Sequence, residues 1–144
     1  MKILILNGPN LNHLDKRPAE HYGSFSLKKL EELIRTEFPK HQFEFFQSNL
    51  EGELIDKIQY ANGSFDGLVI NPGGYSHSSV AIKDALEICI LPKIEVHISN
   101  LAKRENFRHS LLTASSCDGY ISGFRENSYI AAVYLLEKIS SFKM

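Results

Sequence analysis

The run Asp66-Gly67-Leu68-Val69-Ile70-Asn71-Pro72-Gly73-Gly74-Tyr75-Ser76-His77-Ser78-Ser79 decides the fold. Leu68, Val69 and Ile70 form the unbroken apolar stretch of a strand buried on both faces. Pro72, Gly73 and Gly74 end that strand, and Ser79 is placed to cap a helix running to about residue 87. A strand, a glycine turn and a helix in this order make up half of a βαβ unit.

The same alternation extends in both directions. Residues 2–7, KILILN, form another nearly continuous apolar run, and residues 43–47, FEFFQ, a further strand. Between them Ser26 caps a helical pattern in which Leu27, Leu30, Leu33, Ile34 and Phe38 share a face, and Pro39 stops it. A helix over 51–61 turns Leu54, Ile55 and Ile58 inward and ends before Gly63. Residues 93–98, KIEVHI, and 119–123, GYISG, supply two more strands. A terminal helix over 128–140 places Ala131, Leu135 and Ile139 on one face. Strands and helices alternating at this spacing predict right-handed crossovers and a parallel sheet covered on both faces. Five such strands fit an α/β flavodoxin-like three-layer sandwich of strand order 2-1-3-4-5. In that order the connections leaving strands 1 and 3 diverge to opposite faces and open a crevice at their carboxyl ends.

At 144 residues the chain reads as a single domain, 1–144, with the 43% hydrophobic and 23% charged residues of a globular rather than a disordered protein. The net charge of −1, with no block of like charges, argues against nucleic acid or an anionic membrane as partner. The apolar start is too short for a signal-peptide core or a membrane span. Cys89 and Cys117 lack zinc or redox spacing and read as free thiols of a cytoplasmic protein.

The residues with chemistry gather at three strand ends: 7–23 after strand 1, 71–77 after strand 3, and 95–100 at the end of strand 4. Residues two apart in a strand share a side, so Glu95 and His97 face together while Val96 and Ile98 face the other layer. A carboxylate beside an imidazole orients the ring and favours its protonated form, which suits proton donation near neutral pH. An isolated pair of this kind is as often a structural histidine, and Ser99 and Asn100 shift the balance by adding hydrogen-bonding groups at the same end. Gly73 and Gly74 let a ligand approach the backbone, and the helix start offers free N–H groups. The segment is neither a Walker loop nor GxGxxG. His77 adds a partner for a hydroxyl or carboxylate. The asparagines Asn7, Asn10 and Asn12 either fix the first loop or bind a ligand. Residues 103–108, KRENFR, read mostly as a solvated charged turn from which an arginine could grip a carboxylate by two prongs. Asp84 reads as a surface or interface residue on the third helix. His77, Glu95 and His97 are the residue types of a two-histidine, one-carboxylate metal site, but their spacing matches no metal motif. A non-catalytic small-molecule binding module and a metal-dependent hydrolase on the same scaffold are the competing readings.

Taken together, NGPNLN (7–12), Arg17 with Tyr22-Gly23, FFQSNLEGELIDKI (45–58), INPGGYSHSSVAIKDA (70–85) and IEVHISNLAKRENFR (94–108) resemble type II 3-dehydroquinate dehydratases of the shikimate pathway. The resemblance runs in order from about residue 1 to residue 125. It implies a lyase without cofactor or metal, and a cytoplasmic homododecamer assembled as a tetramer of trimers. The implied reaction is anti elimination of water from 3-dehydroquinate, through an enolate, to 3-dehydroshikimate. Position by position, it implies that Tyr22 is the base with Arg17 supporting it. His97 is the implied general acid with Glu95 behind it, and Asn10 holds a water near the enolate. Implied substrate contacts are Asn71, His77, Ile98, Ser99 and Arg108, and Asp84 reaches into a neighbouring subunit's site. Residues 13–23 become an active-site lid. An ordinary tyrosine titrates near pH ~10, so a tyrosine base at neutral pH costs about 4 kcal/mol unless a neighbouring cation favours the phenolate. This chain departs from the family where Asp15 replaces a glycine and where Pro18 follows Arg17 directly. Lys16 is thus an alternative cation, and Pro18 biases Arg17 toward extended backbone.

Overall fold

The computed structural model describes residues 1–142. Five strands, β1 (Lys2–Asn7), β2 (Gln42–Gln47), β3 (Gly67–Asn71), β4 (Lys93–His97) and β5 (Gly119–Ser122), pair in parallel in the order β2-β1-β3-β4-β5. The helices are α1 (Ala19–Tyr22), α2 (Leu27–Glu37), α3 (Glu51–Ala61), α4 (Val80–Ile88) and α5 (Asn127–Phe142). The flavodoxin-like three-layer architecture expected from the alternation is therefore present. Among the described residues no helix is long and apolar enough to cross a membrane.

Strand alternation divides the core into two layers. Ile3, Ile5, Val69 and Val96 pack against Leu30 and Ile34 of α2 and against Tyr129, Ala132, Val133 and Leu136 of α5. Leu4, Leu6, Leu68 and Ile70 point the other way, onto Leu54 and Ile58 of α3 and Ile82 and Leu86 of α4. Each fully buried Leu or Ile stabilises the fold by roughly 1.5–3 kcal/mol relative to exposure, so both helical layers clamp the sheet. The serine caps form as read. Ser26 Oγ accepts from the Lys29 N–H at 3.2 Å, and Ser79 Oγ from the Ile82 N–H at 2.9 Å. Each is worth about 1 kcal/mol.

Two helix faces differ from the sequence reading. Leu33 stays on the rim at 38% exposure, because α2 meets the sheet through the narrower arc of Leu30 and Ile34. On α5 the buried set is Ser128, Tyr129, Ala132, Val133 and Leu136, and Leu135 is exposed. This helix is apolar nearly all round, so periodicity cannot select a face. The hydroxyl of Tyr129, which needs a buried partner, selects it instead.

The loops leaving β1 and β3 meet so closely that no side chain fits between them. The Gly8 N–H donates to the Asn71 carbonyl at 2.7 Å, and a Cβ on Gly8 would lie 2.4 Å from the Pro72 carbonyl oxygen. Gly73 sits at φ +61°, in the left-handed region, and turns the chain across Pro9 into the next segment. These two glycines bring the ends of β1 and β3 together as the floor of a crevice.

Candidate active site

The segment after β1 is an ordered wall, not an open connector. It forms a 3₁₀ stretch, Leu11–Lys16, anchored in the core by Leu11 and Leu14, and then the single turn of α1. Arg17 between them is extended, with φ −93° and ψ 157°, as the following Pro18 favours. Its guanidinium carbon lies 3.9 Å from the centroid of the Tyr22 ring. Lys16 is exposed, so Arg17 and not Lys16 is the cation against the tyrosine.

A second arginine also reaches Tyr22. Arg104 Nη1 donates to Tyr22 Oη at 2.9 Å and to Ser99 Oγ at 2.9 Å, and its side chain is only 7% exposed. The sequence reading left Arg104 in a solvated turn and singled out Arg108 alone. Two 3₁₀ turns, Leu101–Lys103 and Asn106–His109, fold that run back over the crevice. The available signal was Leu101, an apolar residue just ahead of the charges, which is buried and pins the turn down.

On the opposite layer Glu95 and His97 face together, as strand alternation requires. Glu95 is completely buried. Its Oε2 accepts from His97 Nε2 and from Ser76 Oγ, each at 3.1 Å, and its Oε1 accepts from Thr113 Oγ1. Both oxygens of the buried carboxylate therefore have donors. With Nε2 committed to Glu95, Nδ1 is the nitrogen His97 can offer the crevice. Sequence reasoning missed Ser76 and Thr113 as partners of this pair.

His77 donates from Nδ1 to the Ser110 carbonyl at 2.7 Å and stacks on His97, with centroids 6.1 Å apart and planes 26° apart. Burial holds its pKa below the ordinary histidine value. The Ser110 carbonyl and Glu95 oppose that effect, while the electrostatic influence of His97 and Arg108 adds to it. A neutral His77 so bonded presents Nε2 as an acceptor for a hydroxyl. Asn71 is fixed from behind. Its Nδ2 donates to Tyr129 Oη at 2.9 Å, and its Oδ1 accepts from the Gly73 N–H at 3.1 Å. Tyr129 in turn donates to Asn7 Oδ1 at 2.6 Å. Burial raises the Tyr129 pKa, which keeps this hydroxyl a neutral donor, and the second Nδ2 hydrogen of Asn71 remains for the crevice.

Arg17, Tyr22, Asn71, His77, His97, Ile98, Ser99 and Arg108 line one crevice, joined by Arg104. Glu95 stands behind His97. Asn10 and Asp84 are not part of the lining. Asn10 is exposed at φ 68°, with its N–H on Asn49 Oδ1 at 3.0 Å, and Asp84 is exposed on α4. Arg108 Nε is held by Glu105 Oε2 at 2.7 Å, leaving the far edge of its guanidinium for a ligand. The pKa of Arg17 falls chiefly through burial. Tyr22 opposes the shift, whereas Arg104 and Arg108 add to it. Three guanidiniums with a neutral imidazole, an amide and a hydroxyl suit a small, hydroxylated anion. Among the described residues no group of three or more His, Cys, Asp or Glu side chains is arranged to hold a metal ion.

Residues 1–137 match the family described as Dehydroquinase class II. The 3-dehydroquinate dehydratase of Thermotoga neapolitana is 50% identical over 143 residues, covering 98% of this chain and 97% of that protein. The crystal structure of type II dehydroquinase from Butyrivibrio crossotus superposes with a TM-score of 0.92 at 46% identity, covering 95% of this chain and 97% of that one. The type II dehydroquinase from Propionibacterium acnes gives 0.88 at 35% identity, covering 94% and 96%.

Proposed function

Because the chain belongs to the class II dehydroquinase family, we propose that this crevice removes water from 3-dehydroquinate to give 3-dehydroshikimate. The observation that carries the reading is Tyr22, whose oxygen accepts from Arg104 and whose ring lies under Arg17, in one crevice with the His97–Glu95 pair. Tyr22, as phenolate, takes the proton α to the substrate ketone. The Arg104 N–H on Oη and the Arg17 guanidinium over the ring fix the tyrosine in the crevice. The electron pair left behind forms an enolate. The neighbouring hydroxyl then leaves as water with a proton from His97, so the base gains one proton and the acid loses one. Proton transfers alone complete the reaction, and no redox or group-carrying step enters it.

Tyr22 belongs to the core layer of α2 and α5, whereas Glu95 and His97 face the layer that holds Ser76 and α4. Base and acid approach the crevice from opposite sides of the sheet, which supports anti elimination. Arg108 is assigned to the substrate carboxylate, and Asn71, His77, Ile98 and Ser99 to its remaining polar and apolar contacts. Residues 13–23 act as the lid that excludes water over Tyr22. Asn10, next to the lining residue Leu11, is assigned to hold a water near the enolate. The homododecamer belongs to the same proposal. Asp84 stands between Val80 and Ile88, 59% and 66% exposed, on an unpartnered stripe of α4 that suits contact with a neighbouring subunit.

The direct test is an ultraviolet assay with 3-dehydroquinate and no added cofactor, which reads the conjugated enone of the product. No absorbance rise at micromolar enzyme would sink the reading. A second prediction concerns Arg104. Arg104→Met keeps most of the stem but removes both donors, and kcat is expected to fall about 10²-fold. Arg104→Lys should not restore it, since a single ammonium does not reproduce the planar fork that serves Oη and Ser99 together. Wild-type kcat in Arg104→Met would reduce Arg104 to a packing residue.

A further inference from the structure

We propose that Thr113 is a positioning residue for proton donation. Its hydroxyl holds the Glu95 carboxylate so that Glu95, in turn, holds His97 with Nδ1 toward the crevice. The inference rests on His97 being the acid in the reading above.

Four observations carry it. Thr113 is completely buried, and its hydroxyl is the sole recorded donor to Glu95 Oε1 among the described residues. Ser76 cannot stand in for it. The Ser76 hydroxyl shares Oε2 with His97 and also lies 3.4 Å from His97 Nε2, so it sits on the oxygen that is already occupied. Thr113 precedes the 3₁₀ turn Ala114–Ser116, yet its side chain makes no capping bond there, so local structure does not account for where the hydroxyl points. Finally, its backbone is registered against the glycine turn that carries the other histidine. The Leu112 and Thr113 N–H groups donate to the Ser76 carbonyl at 2.9 and 3.4 Å, and the Ser110 carbonyl accepts from His77. One short segment, 110–113, thus sets both histidines of the crevice, His77 through a carbonyl and His97 through a hydroxyl and a carboxylate.

Removing that hydroxyl leaves a buried acceptor without its donor. The carboxylate then turns to share the donors on its other oxygen, and the bond that orients His97 is lost or bent. A misplacement of about 1 Å in a reacting group costs on the order of 10²-fold in rate. Substrate binding, which runs through other residues, is untouched.

The test uses the full chain as Thr113→Val, nearly isosteric without the hydroxyl, and Thr113→Ser, which restores it. Thr113→Val should lower kcat by roughly 10- to 50-fold with KM changed by less than about twofold, and Thr113→Ser should recover kcat to within about threefold of wild type. Adding Thr113→Val to His97→Asn should change kcat by less than about twofold, because the effect passes through the imidazole. ¹⁵N NMR of histidine-labelled protein should show the Nε2-bound proton of His97 in wild type and in Thr113→Ser, and its loss in Thr113→Val. Should Thr113→Val not fold, Thr113→Ala takes its place in every comparison. Wild-type kcat without the hydroxyl, equal losses in Val and Ser, a loss that persists beside His97→Asn, or an unchanged His97 spectrum would each overturn the proposal. A wild-type protein inactive on 3-dehydroquinate would instead overturn the assigned reaction, and the NMR comparison would still decide the place of Thr113.

Discussion

Tyr22→Phe is expected to lower kcat by about 10³-fold or more while product and substrate analogues bind within a few-fold of wild type. The substitution removes one oxygen and nothing else. The ring stays in the core beside the 3₁₀ anchor residues Leu11 and Leu14, and Arg17 keeps an aromatic face to lie against. Arg104 loses one of two acceptors but retains Ser99 Oγ. The fold and the cationic character of the crevice therefore survive, and only the atom assigned to take the proton is gone. Steady-state kinetics with calorimetric titration of the product separate the two effects. A kcat within tenfold of wild type would move the base elsewhere, and an equal loss of binding would mean that Tyr22 mainly shapes the pocket.

How much of this was legible in the sequence follows from the range of each interaction. The strands, the serine caps at Ser26 and Ser79, and the shared face of Glu95 and His97 are local, written in spacings of two to four residues. Arg104 is different. Its bond to Tyr22 spans 82 residues, and the composition of KRENFR is the same whether that run is solvated or folded back. The Tyr129–Asn7 bond spans 122 residues and depends on α5 returning across the sheet against β3 and β4, which no local pattern encodes. Thr113 lies in a stretch of small and polar residues whose register against Ser76 only the folded chain defines. Resemblance to a family implied roles for Arg17, Tyr22 and His97, which meet in this crevice, for Asn10, which lies outside its lining, and for Asp84 in the site of a neighbouring subunit. Asn10 is exposed and has a left-handed backbone, and Asp84 is exposed on α4, open to a neighbouring subunit. Pro18, which departs from the family pattern, leaves Arg17 in contact with Tyr22 because the extended backbone it favours is the one that contact uses.

His97→Asn is expected to reduce kcat by roughly 10²- to 10³-fold with little change in affinity for substrate analogues. Asparagine is a demanding probe because its amide can still donate to Glu95 Oε2, so the completely buried carboxylate keeps a donor on each oxygen, with Thr113 serving the other. Stability should change little, which thermal unfolding checks. What the variant cannot do is release a proton to the departing hydroxyl. It also removes the ring on which His77 stacks, and that loss predicts a modest rise in KM if His77 binds a substrate hydroxyl. The balance between the two parameters is diagnostic. A fall in kcat with a nearly constant KM marks His97 as the proton donor, and a rise in KM alone would reassign it to binding. The double substitution with Tyr22→Phe sharpens the distinction. If abstraction and donation occur in separate steps through an enolate, the slower step governs turnover. The double variant should then be little worse than the worse single variant, whereas a concerted elimination should make the two losses multiply.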